Sequence, residues 1–266
     1  MHCRGLSARA NIETFDFNGK TIVLYDDHRY ILNVLNDYRK NYDSVNSFRG
    51  YTGKYECPNL IFFDRHDDAK ELSDELKNKI QKLDKENIRD FWNFVEFDVS
   101  TIDDDWVRIA MEMNLVKNVV VFGNKENDNI KKMKAAPIKT DSPALHQPSR
   151  EYIGMDQTKH VLFSFDDSFL LTNVLDNSNC EIEDIVFNST HVLDFDLDCF
   201  SDGAACWCKE KMKEFCSLQK LKDLVTFANL ITICREPGCC GGLGQSNKIL
   251  QYLDEFLFDE CLRTSD

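Results

Sequence analysis

Six short apolar runs punctuate the chain: residues 20–26 (KTIVLYD), 59–64 (NLIFFD), 117–123 (KNVVVFG), 160–165 (HVLFSF), 191–197 (HVLDFDL) and 229–234 (NLITIC). They are rich in Val, Ile, Leu and Phe, which predicts buried strands. Between them lie charged stretches with helical spacing, at residues 28–40, 67–85, 103–114, 207–228 and 244–262. Strands that alternate with helices predict an α/β fold whose mainly parallel sheet is covered by helices. Residues 124–159 carry three prolines and little periodicity, and they read as a loop within one domain. The aromatic cluster at residues 91–94 (FWNF) reads as core packing.

Composition narrows the class. With 266 residues, 42% apolar and 29% charged, the chain can bury a sizeable core. It contains no apolar run of membrane-spanning length, and the first twenty residues lack the apolar core of a signal peptide, so the expectation is a cytoplasmic protein with no membrane partner. Eleven cysteines, an odd count, fit reduced thiols better than a disulfide framework. The net charge of −14 argues against a nucleic-acid partner, whose phosphates require Lys and Arg. It suits a cationic substrate, although an acidic surface also serves solubility alone.

Chemistry enters at the strand ends. Asp64, His66 and Asp68 follow the run NLIFF, and alternate residues leaving an extended strand can turn carboxylate, imidazole and carboxylate onto one point. Carboxyl ends of parallel strands are where ligands bind. In VLDFDLDCF, strand alternation puts Asp194, Asp196 and Asp198 on one face. Three such carboxylates repel unless a cation neutralises them or the strand is a solvated edge. His28 follows the run TIVLYDD and reads by itself as a capping or surface residue.

In IVLYDDH, LIFFDRHDDA, VLDFDLDCF and LITICREPGCCGG, taken in that order, the chain resembles the arginase and deacetylase superfamily. It is most similar to the arginase-like family that includes peptide arginases, which convert arginine side chains of peptides to ornithine and release urea. The resemblance spans about residues 20–245 and implies a single three-layer α/β/α domain over residues 20–266, preceded by an N-terminal extension at residues 1–19. It also implies two divalent metal ions, Mn2+ by the family's habit. Asp64 and Asp196 would bridge them, His28 and Asp68 would complete one, and His66 and Asp198 the other. Such a pair, about 3.5–4 Å apart, holds a shared water as hydroxide that can attack a guanidinium carbon. Asp194 and Asp98 are the candidate proton shuttles. The implied partner is a small molecule or peptide carrying a cationic guanidino group.

Some positions depart from that pattern. Where arginases place a guanidinium-binding glutamate this chain has Cys234, with Glu236 two residues further on, so both are candidate substrate-binding residues. The glycine-rich residues 238–244 could line an anion with their amides or simply turn the chain. Cys206, Cys208, Cys216, Cys239 and Cys240 offer thiols for zinc without a known zinc-ribbon spacing. Two alternatives stand beside the hydrolase: a metal-binding module without turnover, and a phosphatase of the haloacid-dehalogenase type, which VLDFDLD resembles.

Overall fold

Each of the six apolar runs becomes a strand, and together they form the parallel centre of one eight-stranded sheet. The computed structural model describes residues 11–48, 55–100, 105–123, 149–165, 190–201 and 218–262. In chain order the strands are β1 (Glu13–Phe17), β2 (Lys20–Tyr25), β3 (Asn59–Phe63), β4 (Val119–Phe122), β5 (Ser149–Ile153), β6 (Lys159–Phe165), β7 (His191–Asp196) and β8 (Leu230–Cys234). Across the sheet they run β1-β2-β8-β7-β3-β4-β6-β5. Every pair from β2 to β6 is parallel, while β1 and β5 close the two edges antiparallel.

Two cores lie on opposite faces, because alternate residues of each strand point opposite ways. Val23, Leu60, Phe62, Val119 and Val121 pack with α1 (Ile31–Phe48), α2 (Asp74–Lys82), α3 (Ile88–Phe97) and α4 (Trp106–Glu112). Ile22, Leu24, Ile61, Phe63, Val120 and Phe122 pack with α5 (Leu218–Phe227) and α6 (Leu243–Leu257). Helices therefore cover both faces, an arrangement compatible with the expected three layers.

The boundaries differ from expectation at several places, each for a physical reason. β1 falls inside residues 1–19 and pairs with β2, joined by the two-residue turn Asn18-Gly19 at φ 54° and 76°. Asn-Gly supplies the two positive φ values that a tight hairpin needs. The stretch at residues 67–85 becomes helical only from Asp74, where Ser73 accepts the Leu76 amide as N-cap. Before that cap the chain is irregular and carries Asp68. The cluster at 91–94 forms its own helix, α3, burying Phe91 and Phe94 as core. Within residues 124–159, positions 149–153 form an edge strand. Positions 124–148 and the cysteines at 206, 208 and 216 lie outside the described residues.

One topological feature places the site. After β2 the chain leaves room for two strands, builds β3, β4 and β6 outward, and returns to insert β7 and β8 between β3 and β2. The carboxyl ends of β2, β8, β7 and β3 thus lie side by side at the point where strand order reverses, which opens a crevice in parallel sheets.

Candidate metal centre

β2 ends at Tyr25, and the 3-10 turn His28–Tyr30 carries the His28 imidazole back under the strand ends. The ring is buried, with the Trp106 ring 4.6 Å away on one side and Phe62 edge-on at 6.5 Å. Its Nε2 lies 2.8 Å from Asp194 Oδ2. Asp194 is itself fully buried, and its other oxygen accepts hydrogen bonds from Tyr25 Oη at 2.9 Å and from the Thr232 hydroxyl. A carboxylate fixed in this way sets the orientation of the imidazole and turns Nδ1 outward.

Nδ1 meets carboxylates from two strands. It is 3.2 Å from Asp196 Oδ2 and 3.5 Å from both Asp64 Oδ2 and Asp68 Oδ2. Asp64 and Asp196 reach this point by the same local device. Each ends an extended segment and accepts the amide two residues on with Oδ1, from His66 at 2.8 Å and from Asp198 at 3.0 Å, leaving Oδ2 to face inward. Asp64 Oδ2 and Asp198 Oδ1 are buried without a hydrogen-bond partner. Buried carboxylate oxygens left unpaired are costly unless a cation neutralises them.

Asp68 adopts a left-handed backbone at φ 43°, tolerable for Asp. α4 fixes it there, because Trp106 Nε1 donates to Asp68 Oδ2 at 2.6 Å and the Val107 amide donates to the Asp68 carbonyl. β7 ends at Asp196, and Asp198 belongs to the 3-10 turn Leu197–Phe200. That turn, and not the strand alternation expected for residues 194, 196 and 198, directs its carboxylate.

Electrostatics follow from this crowding. Burial, then the charge of Asp64, raises Asp68 well above the usual carboxylate range. Burial, then Glu236, Asp198 and Asp64, does the same to Asp196. Burial, with Asp64 and Glu236, pushes Asp198 up to about 7. For His28 burial alone would lower the pKa, but Asp194 and Asp196 outweigh it and hold the ring well above its ordinary value.

The donor atoms fall into groups in which all lie within 4.8 Å of one another: His28, Asp64 and Asp68; Asp64, His66 and Asp198; His28, Asp196 and Cys234; and Asp198, Glu236 and Cys239. The first two share Asp64, and a divalent ion fits either by donor chemistry. Asp196 groups with His28 and not with His66. His66 is the open member, with a side chain 39% exposed and Nδ1 3.4 Å from Asp64 Oδ1. Buried His and Asp clusters able to hold metal are therefore present.

Other candidates land elsewhere. Asp98 ends α3 and pairs with Lys79 at 3.0 Å, outside these groups. Asp194 sits behind the imidazole, fully buried, and its oxygens are engaged by His28, Tyr25 and Thr232. Cys234 is buried at the end of β8, in register with Asp196 and Tyr25. Glu236 follows at φ 35°, its carbonyl accepting the Cys239 and Cys240 amides, and reaches Asp198. Gly241 and Gly242 take φ of 82° and 108° in a turn that leads into α6. Sequence reasoning missed the supporting roles of Tyr25, Thr232 and Trp106; the available signal was a hydroxyl in each neighbouring apolar run, Thr232 in register with Asp194 on β8 and Tyr25 at the end of β2 one strand further on. Among the described residues no helix is long and apolar enough to cross a membrane. Comparison of the sequence with models of known protein families and with curated proteins returned no match.

Proposed function

We propose that the chain is a dinuclear metal hydrolase of the arginase type, acting on a guanidino or related C–N bond, with arginine side chains of peptides as substrate and ornithine and urea as products. The observation that carries this reading is His28 Nδ1 facing carboxylate oxygens of Asp64, Asp68 and Asp196 at 3.2–3.5 Å. Unpaired oxygens on Asp64 and Asp198 supply the fit to cations. His28, Asp68, Asp64 and Asp196 would hold one ion, and Asp64, His66 and Asp198 the other. Oxygen-rich donors with imidazole suit Mn2+. Two such ions, when bound, would supply a water acidified enough to act as the nucleophile at neutral pH.

The chain's own residues do the rest. Asp194 holds the imidazole, and Trp106 holds Asp68. Glu236, partly exposed beside Asp198, presents a carboxylate that can pair with a cationic guanidinium and pass a proton to the leaving amine. His66 marks the side from which substrate enters. The sealed position of Asp194 argues against the phosphatase reading, whose first aspartate must reach phosphorus.

Metal analysis combined with urea release from arginine, agmatine and arginine-containing peptides tests the proposal. Near two equivalents of metal and urea from peptides are expected, with metal lost in Asp64→Ala and Asp196→Ala. Bound metal without turnover of any guanidino compound would leave only a metal-binding module, and phosphate release from a generic ester would favour the phosphatase.

A further inference from the structure

Among the described residues, Cys234 is the donor grouped with His28 that the arginase-type reading does not use on a metal. It ends β8 directly beside Asp196 of β7 and Tyr25 of β2, fully buried, with its donor atom within 4.8 Å of those of His28 and Asp196. A second, independent observation points to the same place. Asp64 Oδ2, buried and without a hydrogen-bond partner, lies 3.5 Å from the His28 Nδ1 that Asp196 Oδ2 approaches at 3.2 Å.

We infer that the Cys234 thiolate is a ligand of the ion held by His28 and Asp196, so that this half of the centre takes a thiophilic divalent ion such as Zn2+ in preference to Mn2+. The inference rests on the metal-centre reading above and changes its metal. Zinc binds imidazole nitrogen at about 2.0–2.1 Å and thiolate sulfur at about 2.3 Å, so two such donors on one ion stand at most about 4.4 Å apart. The separation observed here is within a small side-chain adjustment of that span. Softness decides the selectivity: sulfur favours zinc and its neighbours, whereas carboxylate and carbonyl oxygen favour manganese and magnesium. The three donors assigned to the other half, Asp64, His66 and Asp198, are oxygen and nitrogen, so with Cys239 left off that ion the two positions differ in preference and a mixed-metal centre follows. On binding, the Cys234 proton passes to solvent and a sulfur–metal bond forms, with no change of oxidation state.

A second thiol makes the assignment testable by position, because Cys239 groups with Asp198 and Glu236 on the other side. The experiment is X-ray absorption at the zinc edge on the full chain loaded with Zn2+, alongside C234S and C239S and with bound metal counted in each. The expected result is one sulfur at about 2.3 Å in the wild type and in C239S, lost in C234S while zinc remains bound. Zinc held by nitrogen and oxygen alone in the wild type overturns the inference and leaves the metal centre standing. Sulfur that persists in C234S, or vanishes in C239S, overturns it as well. No bound zinc or manganese in the wild type would sink the metal centre and this inference together. If C234S fails to fold, the wild-type and C239S spectra still decide.

Discussion

Chelation should make the stability of this protein fall as the pH rises through neutrality. Asp198 shows the size of the effect. Burial, with the charges of Asp64 and Glu236, moves its carboxyl from 3.8 to about 7, which costs the ionised, metal-free fold about 4 kcal/mol. The sign follows from proton counting. Between those two values the folded chain keeps a proton that the unfolded chain has released, so the contribution is intact below the lower value and lost as the pH climbs past the higher one. His28, also raised, acts in the same direction. Glu75, Glu86 and Asp156 act oppositely, held down by Lys79, by Arg39 and by the Thr158 amide, but they titrate at acid pH, below the window that matters. About two-thirds of the Asp198 effect falls between roughly pH 5 and 8, which for a chain of this size corresponds to a drop in Tm of roughly 5–10 °C. Scanning calorimetry in EDTA across that range measures it. Saturating metal should abolish the drop, because bound cations hold the carboxylates ionised and binding releases the protons beforehand. Asp198→Asn should remove this share of the slope and stabilise the chelated protein at the alkaline end. A chelated Tm that is flat or rises from pH 5 to 8 would refute the reasoning.

Asp194→Asn should weaken metal binding about 10–100-fold by loosening the imidazole, read by competition with a chromophoric chelator while the far-ultraviolet circular dichroism is unchanged. Phe63, stacked on Phe122 at 5.4 Å and Phe195 at 5.3 Å, should cost about 3–5 kcal/mol in urea unfolding when changed to Ala; Phe97, 74% exposed, should cost less than about 0.5 kcal/mol. Burial pushes the Cys57 thiol up to about 12, leaving a thiolate fraction near 10⁻⁴ at pH 8. Peptide mass spectrometry should therefore find it unalkylated in the folded chain and modified after urea unfolding.

The centre of the sheet was legible because both faces of those strands are buried, which turns a strand into an unbroken apolar run. The edges were not. β1 reads ETFDF and β5 reads SREYI, with exposed or half-exposed positions throughout, since water satisfies one side of each edge. A strand of this kind is short, polar and easily taken for loop. The hairpin turn Asn18-Gly19 carried the signal for β1, but only if the alternation before it was read as strand. α3 was hidden by its own aromatic content, which marks core in any secondary structure; Asn87, accepting the Arg89 and Asp90 amides, is the cap that distinguishes it as helix.

At the site, residue type was legible and direction was not. Spacing alone put residues 194, 196 and 198 on one face, yet each does something different. Asp194 faces inward while still in the strand and meets Thr232 and His28. Asp196 stands at the last strand position, where one oxygen accepts the amide two residues on and the other faces His28. Asp198 is past the strand, in a turn made possible by that same amide bond. What separates the three roles is the residue at which extended backbone stops, and hydrophobic pattern fixes such boundaries least well. The same holds at β8, where ending the strand at Cys234 puts a thiol in the row of Asp196 and leaves Glu236 to return through a left-handed turn. A glutamate at 234 would instead have added a further carboxylate beside Asp196 and against a His28 ring that already faces Asp64, Asp68, Asp194 and Asp196. A thiol there avoids adding to the buried charge that already raises His28, Asp68, Asp196 and Asp198, and it leaves Glu236, only partly buried, as the carboxylate that stands further out beside Asp198.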